Sequence, residues 1–104
     1  MDINSLLNSS EGFQWDEGNN FKSWLKHHVS EVEAEQVFLN EPLLLLVDEK
    51  QSQHETRFRA LGYSNSSRYL YIVFTLRNNL IRVISVRDMN KKERGVYEVF
   101  KINT

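Results

Sequence analysis

The chain has no cysteine among its 104 residues. Disulfides, iron-sulfur clusters and thiolate zinc sites are therefore excluded, as suits a reducing compartment. Long apolar runs are missing as well. The longest, Leu43 to Val47, is far too short to span a bilayer, and the opening MDINSLL lacks the basic and apolar regions of a signal peptide. A cytoplasmic protein with no membrane partner is expected. Three histidines without spaced carboxylates make no zinc site, so neither a metal nor another cofactor is expected. Proline occurs once, and no internal repeat or low-complexity segment is visible. Excess charge is absent too: the net charge of −1 argues against a general nucleic-acid coat.

The charge that is present is unevenly placed. Residues 11 to 55 hold most of the Asp and Glu, whereas from Arg57 to Lys101 Arg and Lys prevail. A local basic patch on a neutral protein fits RNA binding at one site. The length suits one domain, read as residues 13–104 behind a flexible lead-in of residues 1–12.

The stretch RYLYIVFTLRNNLIRVISVR, residues 68 to 87, is two β-rich apolar runs joined by Asn78-Asn79 and reads as a hairpin. A two-residue turn sets Leu76 opposite Ile81, Thr75 opposite Arg82, Phe74 opposite Val83 and Ile72 opposite Ser85. Upstream, TRFRALGY pairs with the first run across the SNSS turn, setting Ala60 opposite Ile72, Phe58 opposite Phe74 and Arg57 opposite Thr75. Slipping that register by one residue would bury Arg57 and Arg59. One face is then apolar, and the other carries a row Arg57, Thr75, Arg82 edged by Arg59, Tyr63 and Tyr71. Cations beside aromatics suit phosphate and stacked bases. On the last strand, parity puts Ser85 and Arg87 on the core face, awkward for Arg87 unless a bulge or the strand end turns it outward.

Elsewhere, Phe13 to Trp15 reads as a short edge strand and Asp16 as a helix cap. Phe21, Trp24, Leu25 and His28 recur at helical spacing, and Trp15 and Trp24 are assigned to the core. Ser30 with Glu33 forms a capping box for a helix from Glu31 to about Phe38, stopped by Asn40-Glu41-Pro42. Leu43 to Asp48 is a strand whose unbroken apolar character suggests cover on both faces. Asn90 and Glu93 repeat the capping arrangement before a final helix with Met89, Val96, Tyr97 and Phe100 on one stripe. The expected fold is α+β. A four-stranded antiparallel meander, with a short N-terminal edge strand, carries two N-terminal helices and one C-terminal helix covering its apolar face.

Seven elements resemble, in order and spacing, the BrnT family of toxins: Phe13-Trp15-Asp16; Lys26-His27-Val29-Ser30; Ala34-Val37-Phe38-Pro42; Glu55-Arg57-Leu61-Gly62; Val73-Phe74-Thr75; Ile81 to Arg87; and Lys91-Lys92-Glu93-Arg94-Tyr97. The resemblance spans residues 13 to 98. It implies a RelE-like fold, metal-independent RNA cleavage that inhibits translation, and residence in the bacterial cytoplasm. It also implies a BrnA-like antitoxin that covers the active face in a complex, possible as a heterotetramer, that binds operator DNA. Asn19, Ser23 and His28 depart from the family pattern, which has a lysine, an asparagine and a glycine there.

Cleavage of this kind activates a ribose 2′-hydroxyl against the adjacent phosphate. It needs a base, an acid for the leaving oxygen and cations for the charge that builds on phosphate. Arg57 and Arg82 are placed as a guanidinium clamp, or alternatively as ion-pair partners of Glu55 or Glu98. The resemblance favours Arg87 as functional; otherwise it pairs with Asp88 or the final helix. Glu55 serves as a base or simply holds Arg57. His27, beside Lys26, is of a type that exchanges protons near neutrality or caps a helix end. These six are the catalytic candidates, and Arg59, Thr75, Ser85 and Tyr71 are candidates for binding substrate. The competing reading is a catalytically silent module whose arginine face docks nucleic acid or an acidic protein segment.

Overall fold

A computed structural model describes residues 3–20, 22–51 and 54–104. Phe21 and part of the polar connection before Glu55 lie outside the described residues. Three helices come first: α1 (Ile3–Asn8), α2 (Lys22–His27) and α3 (Glu31–Leu39). Next come β1 (Leu44–Asp48), β2 (Arg57–Tyr63), β3 (Tyr69–Arg77) and β4 (Leu80–Asp88), and α4 (Lys91–Ile102) closes the chain. The strands form one antiparallel sheet in the order β1-β2-β3-β4, the α+β meander expected from short connections. Where the sequence suggests a flexible lead-in, α1 lies against β1 and Leu7 packs on the core. The expected N-terminal edge strand is reduced to a single parallel bridge between Phe13 and Ile81.

Period-two alternation decides the register of β2 and β3. Arg57 pairs with Thr75, Phe58 with Phe74 and Ala60 with Ile72, because any slip would exchange phenylalanine for arginine in the core. The hairpin turns at Asn78 and Asn79, both at positive φ (53° and 65°), as a two-residue turn of primed type requires. Thr75 opposite Arg82 and Phe74 opposite Val83 are also as expected. A β-bulge between Val73 and Phe74 then shifts the pairing, so that Ser85 meets Val73, Val86 meets Ile72 and Arg87 meets Tyr71. The expected pairing of Ile72 with Ser85 is thereby corrected. The extra residue restores parity: Val86 turns inward at 1% exposure, and Ser85 and Arg87 turn to the polar face.

The inner face, with Phe58, Ala60, Leu70, Ile72, Phe74, Ile81, Val83 and Val86, packs against Val29, Ala34 and Val37. Ser30 caps α3 by accepting a bond from the Glu33 N–H at 3.1 Å. Trp24 is half exposed and Leu25 80% exposed, so the assignment of Trp24 to the core does not hold. The helix around it is too short and too near the sheet edge to bury that face. Trp15 does pack on the core, and its Nε1 donates to Glu35 at 2.7 Å.

The last helix departs most from expectation. It does not join the others on the inner face; it covers one end of the outer face, where Tyr97 and Met89 form a second apolar cluster with Leu61, supported by Leu44, Tyr63, Tyr69 and Phe100. Tyr97 is fully buried, and its hydroxyl donates to the Pro42 carbonyl at 2.7 Å. Val96 is 47% exposed and leaves the stripe. Apolar side chains on both sides of β1 and β2 at that end require this second cover.

Candidate active face

Beyond α4 the outer face stays polar, and its side chains fall into rows across the strands. Arg57, Thr75 and Arg82 form the first row; Arg59, Val73 and Ser85 the second; Leu61, Tyr71 and Arg87 the third. Strands about 4.8 Å apart put the backbones of Arg57 and Arg82 roughly 10 Å apart, within reach of one phosphate or two neighbouring ones. Thr75, between them, is 1% exposed, and its hydroxyl donates to the Thr56 carbonyl at 2.8 Å. It spaces the two arginines and has no free edge for a substrate.

The Arg82 side chain is 12% exposed, less than those of Arg68, Arg77 and Arg87. It grips Asp16 with two bonds, Nη1 to Oδ2 at 2.7 Å and Nη2 to Oδ1 at 3.0 Å. The Asp16 loop is built for that contact. Gly18 donates its N–H to Asp16 Oδ1 at 2.8 Å, and a Cβ on Gly18 would lie 2.8 Å from the Arg82 guanidinium. Asn19, 7% exposed, donates to the carbonyls of Gln14 and Val83 and accepts from the Asp16 N–H, so the loop is riveted to β4. The bond from Arg82, reinforced by that from Gly18, holds the Asp16 carboxyl below the usual aspartate range.

Glu55 sits at the same end. It accepts two bonds from Arg77, at 3.0 and 2.9 Å. The Arg77 bond is the largest cause of its lowered pKa, and the charges of Arg77, Arg57 and Arg82 add to it against the cost of burial. The alternative in which Glu55 or Glu98 pairs with Arg82 is replaced by Asp16.

Arg87, in the third row, lies 4.2 Å over the Tyr71 ring and makes bonds of 2.8 and 2.9 Å to Glu93. The ion pair with the final helix is thus the one that forms, and one face of Tyr71 is already covered. Ser85 stands exposed between the first and third rows. The Nε of Arg59 is buried without a hydrogen-bond partner, beside a cleft of about 360 Å³ lined by Val47, Asp48, Glu49 and Lys50.

Lys26 and His27 are not brought to the first row; His27 lies near Asp88, the neighbour of Arg87. The carbonyls of His27 and His28 accept bonds from Arg68, at 2.8 Å each, just ahead of the first residue of β3. Thr75 lies seven residues further along the chain, roughly 20 Å away at strand rise. The helix end is capped by Arg68, not by the histidine. The departures from the family pattern have structural occupations. Ser23 accepts the Val86 N–H at 3.1 Å, and His28 holds φ at 55°, where glycine is the natural choice.

Asp16, Arg77 and Glu93 were missed as members of this face. Asp16 already had a local explanation as a cap, and its partner lies 66 residues away, so no short-range signal marked it. Among the described residues no group of three or more His, Asp or Glu comes together to hold a metal, and no helix is long and apolar enough to cross a membrane. Residues 15–93 match the family model described as the ribonuclease toxin, BrnT, of type II toxin-antitoxin systems. No curated protein matches the chain closely enough to count as a relative.

Proposed function

The chain belongs to the BrnT family of ribonuclease toxins of type II toxin-antitoxin systems, and from that premise we propose that its outer face cleaves RNA without a metal. The observation that carries this reading is the first row: two arginines on the same side of the sheet, two strands apart, at the uncovered end. Arg57 and Arg82 grip the scissile phosphate and meet the charge that builds on its oxygens, a task suited to groups that stay ionised and donate in pairs.

The reaction is an internal transfer. The 2′-oxygen bonds to phosphorus as its proton passes to a carboxylate, the bond from phosphorus to the 5′-oxygen breaks, and the departing 5′-oxygen takes a proton from water, giving a 2′,3′-cyclic phosphate and a 5′-hydroxyl. Glu55 is the carboxylate assigned to accept the proton, because it stands ionised at the same end as Arg57 and Arg82; the bond from Arg77 lowers its pKa and makes it a weak base, so its contribution is one of position. Arg59 and Ser85, further along the face, contact the flanking nucleotides; Arg87, held by Glu93 over the Tyr71 ring, forms with Tyr71 the wall beside them. Lys26 and His27 have no part at this phosphate. Inhibition of translation follows from the cleavage, and a BrnA-like antitoxin neutralises it within a complex, a heterotetramer, that binds operator DNA.

The test is expression of Arg57→Ala and Arg82→Ala in cells and incubation of each purified variant with RNA. Loss of one positioned charge at the phosphate lowers cleavage by about 100-fold or more, and growth returns. Circular dichroism separates chemistry from unfolding. Undiminished cleavage by folded Arg57→Ala would remove the clamp from the mechanism.

A further inference from the structure

Away from the arginine rows, the edge of β4 and the helices beside it enclose a second feature. A groove of about 400 Å³ is lined by Trp15, Trp24, Val29, Val32 and Val86, with Glu31 on its rim. Its lining is mostly apolar, and it is open to solvent. Trp24 is 50% and Val32 64% exposed, a concentration of uncovered apolar surface beyond the scattered single residues of an ordinary exterior. The rim carries one carboxylate, Glu31, since Glu33 is paired with Arg68 and Glu35 accepts from Trp15; Val32 forms a ridge between the groove and a shallow depression beside Glu33 and Gln36.

We infer that this groove is an anchoring site for the antitoxin, taking an apolar side chain of a segment that also carries lysine or arginine. The inference deepens the proposed function and rests on its protein partner. Apolar walls supply the affinity, and Glu31 on the rim selects a basic segment. The position also explains how one partner can serve both sites. Trp15 and Asn19 line the groove, and the next residue after Trp15 is Asp16, which holds Arg82. A segment seated in the groove therefore continues over the 16–19 loop onto the arginine rows.

The test uses the purified chain and its operon-encoded antitoxin in isothermal titration. Val32→Glu puts a charge into the exposed apolar wall and weakens binding about 100-fold, as for a central interface residue. Glu31→Lys weakens it about tenfold at low salt, a difference that shrinks at high salt. Val99→Glu, on exposed apolar surface of α4, leaves binding unchanged. Val32→Glu expressed alone remains toxic, because Val32 is remote from the arginine rows.

Normal affinity of the Val32→Glu variant, equal weakening by Val99→Glu, or no binding by the unaltered chain overturns the inference. So does a dimer of the chain alone that Val32→Glu dissociates, since the groove's occupant would then be a second copy. Titration needs no cleavage, so absence of ribonuclease activity with intact groove binding sinks the nuclease reading alone.

Discussion

At one end of the outer face Arg87 grips Glu93, and at the other Arg82 grips Asp16 with the same two-pronged geometry. The surroundings differ. Glu93 is 18% exposed and also accepts the Asn90 N–H at 2.9 Å, completing the capping box of α4. Its carboxylate belongs to the architecture of a helix end. Asp16 is 47% exposed and stands in a loop whose other bonds do not need its charge. A phosphate can exchange with Asp16 on Arg82 without dismantling a helix; on Arg87 it cannot. The closed end is a second core, and the open end is where chemistry has room.

The largest expected effect lies at the closed end. Tyr97 is fully buried, in ring contact with Tyr69 and Phe100, and burial pushes its hydroxyl up to about 12, so it stays a donor to Pro42. Tyr97→Ala removes a buried ring and should cost about 3–5 kcal/mol, lowering Tm by roughly 15 °C or more in thermal denaturation. A drop of only a few degrees would show that α4 does not melt with the sheet, and the contrast between the two ends would fail.

Glu93→Gln is the intermediate case. Burial alone would raise the Glu93 carboxyl; the bonds from Arg87 and the Asn90 N–H and the nearby charges of Arg87 and Arg59 outweigh it and hold the group below its usual value. A depressed folded pKa contributes stability that is present above the unfolded value and lost as pH falls through the folded one. Glu93→Gln should therefore cost about 1–2 kcal/mol at pH 7. The gap from the unaltered chain should close below pH 4.5. Thermal melts at falling pH check this, and a gap that does not begin to narrow below pH 4.5 would assign the loss to packing instead of charge.

The sequence carried the sheet because its constraint is local and repetitive. Phe58, Ala60, Ile72 and Phe74 alternate with Arg57, Arg59, Tyr71 and Thr75, so the register that buries the phenylalanines is the one found. The bulge was legible only as a conflict, since Arg87 fell on the core side by simple counting. Which face α4 would cover was not written in α4, whose stripe fits any apolar surface. It was written in Leu44, Leu61, Tyr63 and Tyr69, outward-facing residues too apolar for a solvated face. Both arginines of the first row could be read from parity. The carboxylate that holds Arg82 could not, because Asp16 meets it only through the fold.

Asp16→Asn gives the smallest effect and separates the two ends most directly. Asparagine keeps an oxygen for the Gly18 N–H but no longer neutralises Arg82. The guanidinium becomes available to phosphate, and affinity for a short single-stranded RNA, followed by fluorescence anisotropy, should rise about three- to tenfold. One more phosphate contact should steepen the dependence of log Kd on log salt by about 0.7. Tm should move by only a few degrees, as for other exposed ion pairs. Should RNA affinity fall instead, Asp16 would be positioning Arg82 as Glu93 positions Arg87. Both ends of the face would then hold their arginines for the same structural reason, and exchange with phosphate would no longer explain why the open end is the reactive one.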